Sequence, residues 1–238
     1  MASEDPLDPA QQGIAERFDP AQQGIAERSS VRIFGSRSGH PEAAALAEQV
    51  RRLLFRYANE VVAAYALCPF LHNVDAGMGV VGVILEVEPD PCATLAIMQR
   101  LDAPVLHLAF PIFRGSSSAF ERFGSKLANL VQQSFAEPLV HATFHPELVG
   151  GTENPHRLIG LLRQAPDPFI QFIPHGLQQG GTVLAASQDG IAPGQSHADA
   201  RFDRLNRTAT VSLLLEKISE LKADRARSCE ALAAAIAQ

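Results

Sequence analysis

The chain has few of the residues that would mark several functional classes. Its three cysteines, Cys68, Cys92 and Cys229, are odd in number, far apart and free of any Cys-x-x-Cys pair. That excludes a disulfide framework and a zinc knuckle, and it fits a reducing cytoplasm. Clustered Lys and Arg are missing too: the net charge is −6 and the densest basic pair is Arg51-Arg52. Phosphate backbones and anionic lipid are bound by basic clusters, so the expected partners include neither nucleic acid nor a membrane surface. No run approaches the ~18 apolar residues of a membrane helix. The acidic N-terminus, with Pro6, Pro9 and Pro20, is unlike a secretory signal. A cytoplasmic protein is expected, in which the Asn206-Arg207-Thr208 sequon is accidental.

What is present is enough for a core. The 238 residues are 46% hydrophobic and 19% charged, the profile of one soluble domain with appendages. Residues 8–17 and 19–28 are the same ten residues, separated by Phe18. This perfect tandem copy lies in a polar stretch punctuated by Gly and Pro. Residues 1–38 therefore read as a flexible arm and 39–238 as a single globular domain. The repeat is either slippage in a tolerant tail or a duplicated docking peptide for a protein partner.

From Pro41, the apolar residues Leu46, Val50, Leu53, Leu54, Tyr57, Val61, Val62 and Tyr65 recur at helical spacing to about residue 66. Strands are predicted at 80–87, 105–110, 138–144 and 169–173, with helices to about 100, from the Gly115–Ser118 entry to about 135, and from Pro155 until Pro166-Asp167-Pro168 breaks it. A short strand at 182–185 sits in a loop over 176–196, and a long C-terminal helix follows. Strands alternating with helices give an α/β or α+β domain with a four- or five-stranded sheet. Ferredoxin-like and doubly wound orders both remain open.

Chemistry concentrates between His141 and His156. On an extended strand His141, Thr143 and His145 share one face, and Ala142 and Phe144 take the other. Glu147, Gly150-Gly151, Glu153 and Asn154 follow directly.

Three motifs in order carry a family resemblance: Leu67-Cys68-Pro69-Phe70, Phe144-His145-Pro146 and Leu161-Leu162-Arg163-Gln164-Ala165. With the late Arg204-Leu205-Asn206-Arg207, the chain resembles the bacterial DUF1415 family over roughly residues 45 to 222. The family carries no assigned activity. Its Asp-Asp…Asn…Asn-Arg-Ser-Pro segment is shortened here to Gly151-Thr152-Glu153-Asn154-Pro155, so this chain either lacks the work of those carboxylates or replaces them with Glu147 and Glu153.

Two chemistries suit these residues. In the first, His141, His145 and Glu147 bind a transition metal, either iron, copper, manganese or zinc, with His107 or His156 as a further ligand. Strand geometry alone sets the Cα atoms of His141 and His145 roughly 13 Å apart, so a bend is required. In the second, Cys68 is a nucleophile, His145 its base, Asn154 or Glu147 orients the ring, and the Gly150-Gly151 amides face an oxyanion. Against it, Cys68 lies at a helix C-terminus, which raises a thiol pKa. The segment Gly115-Ser116-Ser117-Ser118 follows a strand and opens a helix, as an anion holder or a plain cap. The leading expectation is a metal-dependent enzyme acting on a small molecule by oxidative or hydrolytic chemistry, with Glu147 as ligand or base and the 176–196 loop as a cover. The alternatives are a metal-free cysteine transferase or hydrolase and an adaptor docking through its repeat.

Overall fold

The structure, a computed structural model, describes residues 31–65, 67, 79–101, 103, 105–175, 202–203, 205 and 210–238. Five strands form one mixed sheet: β1 (Val31–Phe34), β2 (Val80–Ile84), β3 (Leu106–Ala109), β4 (Leu139–Phe144) and β5 (Phe169–Pro174). The spatial order is β1-β2-β3-β5-β4. The first three strands are parallel, and β5 runs antiparallel to both β3 and β4. This α+β single domain departs from the ferredoxin-like alternative, because helical crossovers join parallel neighbours and the last strand inserts inside the edge strand β4. Val31–Phe34 also corrects the extent of the arm. Val31 and Ile33 pack towards one core and Phe34 towards the other, so the ordered domain begins within residues 1–38. The tandem repeat and the 176–196 segment lie outside the described residues.

The helices are α1 (Ala43–Tyr57), α2 (Pro91–Met98), α3 (Ser117–Ser134), α4 (Pro155–Leu162) and α5 (Thr210–Ile236). Alternation along the strands supplies two apolar faces. Val81, Val83, Leu85, Ala109 and Phe169 meet α1, α4 and α5. Ile84, Leu106, Leu108, Ile170 and Phe172 meet Met98 of α2 and Phe120, Phe123, Leu127 and Val131 of α3. Each fully buried Leu, Ile or Phe contributes about 1.5–3 kcal/mol. Helix α1 buries Leu46, Val50, Leu53, Leu54 and Tyr57, as its periodicity predicts.

Beyond Tyr57 the expected α-helix widens into a π-helical turn over Ala58–Ala63, with Ala64 N–H donating to the Asn59 carbonyl at 3.1 Å and Leu67 N–H to Val62 at 2.8 Å. Asp90, Ser116 and Asn154 cap α2, α3 and α4, and Pro91 and Pro155 occupy first-turn positions where no N–H is needed. Ser116 accepting from the Ala119 N–H settles the Gly115-Ser116-Ser117-Ser118 loop as a cap. Asp224 of α5 pairs with Arg52 and Arg56 of α1, which joins the two longest elements on that face.

Candidate functional site

Strand β4 lies at the sheet edge, with β5 on one side. Its alternation is as expected. His141 rests against Phe172, their ring centroids 6.0 Å apart, and His145 rests against Phe113 and Phe120 at 6.3 and 5.8 Å, all on the α3 side. Phe144 faces the other way, stacked on Phe169 at 4.1 Å. Close seating of α3 on β4 requires Gly124, where a Cβ would stand 2.4 Å from Thr143 Cγ2.

His145 is only 4% exposed and both edges of its ring are occupied. Nδ1 accepts from the Glu147 N–H at 3.1 Å, and the Gly115 carbonyl lies at the protonated edge. The accepting Nδ1 places the ring proton on Nε2. Burial pushes the His145 pKa down, opposed by Glu147, Gly115 and Glu121, so the ring is neutral near pH 7. Its own backbone N–H donates to the Arg163 carbonyl at 3.1 Å. His145 therefore ties the end of β4, the loop before α3 and the end of α4 together.

That arrangement does not fit the expected metal set. The lone pair a metal would need already accepts a hydrogen bond. Glu147 meets His145 through its backbone, and its carboxylate is exposed. His107, 3% exposed, lies on the opposite sheet face within 3.1 Å of Gln171 Nε2, because it is out of phase with His141 and His145 across the ladder. His156 is on the exposed surface of α4. Among the described residues no three His, Cys, Asp or Glu side chains gather to hold a metal ion.

The covalent set is also not assembled where it can be seen. Cys68 lies outside the described residues. Asn154 is an exposed helix cap, its Oδ1 accepting from the Arg157 N–H at 3.0 Å, which leaves it no part in orienting His145. Gly150 and Gly160 mark a close crossing of loop and helix. A Cβ on Gly150 would stand 2.1 Å from Leu161 N, and one on Gly160 would stand 2.3 Å from the Val149 carbonyl oxygen. The Gly151 N–H is spent on the Arg157 carbonyl at 3.0 Å. Glu153 pairs with Arg157 at 3.0 Å on the surface.

Two side chains remain chemically unspent. His141 makes no hydrogen bond among the described residues. Partial burial, and then the nearby Arg163 charge, hold its pKa below the usual imidazole value. Arg163 ends α4 half-buried, with its guanidinium 5.9 Å from the Phe144 ring centroid. Burial lowers the Arg163 pKa, with Tyr57 and Glu121 opposing. It too makes no hydrogen bond or ion pair among the described residues. Arg163 and Glu121 were not assigned a role from sequence; the one signal was a lone Arg between Leu161-Leu162 and Ala165-Pro166.

On the remaining side, Lys222 of α5 donates to Gln164 Oε1 at 2.7 Å, and Gln164 Nε2 donates to the Leu148 carbonyl at 2.7 Å. The turn after β4 is thereby braced from α5. Comparison with family models, with curated proteins and with solved structures gave no match. The DUF1415 resemblance rests on the motifs quoted above.

Proposed function

We propose that the chain is an enzyme acting on a small molecule by general acid–base chemistry at the exposed face of β4, with His141 as the proton-transfer group. The observation that carries this reading is an accessible imidazole with no hydrogen-bond partner among the described residues, kept neutral by its surroundings. A neutral ring with a free lone pair can accept a proton at pH 7, the task of a general base. His145 then acts as a positioning residue. It fixes the end of β4 and, through the Arg163 carbonyl, the end of α4. This replaces the metal-ligand roles expected of His141, His145 and Glu147, whose donors do not converge.

The test is a screen of ester, amide and phosphate-ester substrates on the full chain, followed by His141→Ala and His141→Gln on whichever substrate turns over. Loss of a general base predicts a fall in kcat of about 10²–10⁴-fold. A variant that keeps the wild-type rate removes His141 from the mechanism. The screen is run with and without added iron, copper, manganese or zinc, and a rate strictly dependent on one of them would return the metal reading.

A further inference from the structure

We propose that Arg163 is a receptor for an oxyanion, so that the molecule bound beside β4 carries a carboxylate or a phosphate. This rests on the small-molecule reading above and names its substrate class. Several arginines of the described residues are paired with acids. Arg52 and Arg56 are paired with Asp224, Arg157 with Glu153, and Arg225 with Asp167 and the Pro111 carbonyl. These side chains range from partly buried to exposed, and each has an anionic partner; the described arginines without an acid partner, Arg32, Arg37, Arg100, Arg114, Arg122 and Arg227, are exposed to water apart from Arg37. Arg163 is half-buried, yet it has no acid or carbonyl on its guanidinium among the described residues. Withdrawing a charge from water without a partner is costly, and an oxyanion with two oxygens offsets that cost through paired N–H donors.

The guanidinium is also held in place before any ligand arrives. It lies by Phe144, whose ring stacks on Phe169 with an interplanar angle of 7° and meets Tyr57 edge-on at 6.2 Å. Tyr57 in turn donates to the Leu162 carbonyl, one residue before Arg163. The backbone of Arg163 is fixed from both sides, with its N–H on the Ile159 carbonyl at 3.1 Å and its own carbonyl taken by His145. A planar cation on a rigid aromatic support, donors free, matches a carboxylate or phosphate better than a flexible lysine would.

The charges around this group are Glu121 of α3, His141 of β4 and the phenol of Tyr57. Glu121 acts at longer range and forms no ion pair with Arg163. An anion on Arg163 cancels the positive charge that depresses His141, so bound anion raises the His141 pKa and protonation of His141 tightens the anion. His141 and Phe144 face opposite sides of β4, so the bound anion and the imidazole act on each other through charge and not through contact.

The experiment is a titration of the full chain with inorganic phosphate, with acetate and with chloride as the control, followed by the histidine ring signals in NMR. Phosphate or acetate should shift the His141 signal saturably and raise its apparent pKa, while chloride should not. Arg163→Met should weaken that binding by at least about tenfold, the loss of one charge-assisted hydrogen bond. Arg163→Lys, which keeps the charge, should fall between, and guards against a Met variant that fails to fold. Response to phosphate alone assigns a phosphoryl group, and response to acetate alone a carboxylate. No saturable response to either, or unchanged binding in both folded Arg163 variants, overturns the proposal. Anion binding that survives in His141→Ala when measured by isothermal titration calorimetry, in a protein that keeps the wild-type rate, would remove the acid–base reading and leave the anion site standing.

Discussion

The ring of His145 accepts a hydrogen bond from the backbone N–H of Glu147 two residues later, 3.1 Å away, and so closes the turn that ends β4. Replacing His145 by Ala removes this bond, its packing on Phe113 and Phe120, and a partner for the Gly115 carbonyl. A loss of about 2–4 kcal/mol is expected by urea unfolding. Because the folded pKa is lowered, the unfolded chain takes up a proton first as pH falls below the ordinary imidazole value of ~6.5. The stabilisation is fully present above that pH and is lost on acidification towards the folded pKa. Wild type should lose stability between pH 7.5 and 5.5 more steeply than His145→Ala; parallel slopes would exclude this origin.

Asn154 invites a catalytic reading from its position near His145, and the structure gives it a capping one. Asn154→Ala should cost about 1 kcal/mol in stability, and Asn154→Asp or Asn154→Ser should restore most of it. On any substrate found, the rate of the folded Ala variant should stay within a few-fold of wild type. A drop comparable to that of His141→Ala would return Asn154 to the chemistry.

Asp167 is 5% exposed and lines a small cleft with Val50, Leu53, Leu54, Ala109, Pro166 and Phe169. Its Oδ1 accepts from Arg225 Nε at 2.9 Å, while Oδ2 is buried with no hydrogen-bond partner among the described residues. Burial raises its pKa even beside Arg225. Asp167→Ala strands the Arg225 charge and should cost about 3–5 kcal/mol. Asp167→Asn keeps an acceptor for Arg225 and removes the buried charge, so its unfolding midpoint at pH 7 should stay close to wild type. If Asn proves as damaging as Ala, the charge of Asp167 is what holds α5 to the sheet.

The crossing of Gly150 over Gly160 leaves no room for a methyl group on either side. Gly160→Ala, in a helix where alanine is otherwise preferred, should destabilise by about 1–3 kcal/mol instead of stabilising. Because α4 carries Arg163, the same variant should weaken anion binding. Unchanged stability would mean that the loop can move away freely.

Much of the fold was readable because its signals are local. The spacing of Leu46, Val50, Leu53 and Tyr57 requires a helix whatever surrounds it, and Val80–Ile84 reads as a buried strand from its β-branched run. Strand β1 escaped because four residues behind a polar repeat carry too little pattern. The insertion of β5 between β3 and β4 depends on pairings far apart in sequence, such as Leu106 with Phe172 and Val140 with Ile173. The site divided in the same way. Alternation placed His141 and His145 on one face, yet the Glu147 N–H that closes the turn on the ring of His145 becomes visible only in three dimensions. That the Arg163 guanidinium meets no acid among the described residues is a property of its neighbours, which no spacing in its own segment records.

The π-helical turn at Ala58–Ala63 behaves as one residue inserted into α1. In an ideal α-helix each residue turns the chain by about 100°, so the insertion changes the azimuth of Tyr65 and Leu67, which follow it, by about that angle. A length change here is therefore a steering change. Deleting one residue between Ala58 and Ala63 should restore ordinary helical pairing while turning Leu67 away from the core it packs against, a trade of local regularity for the loss of aim.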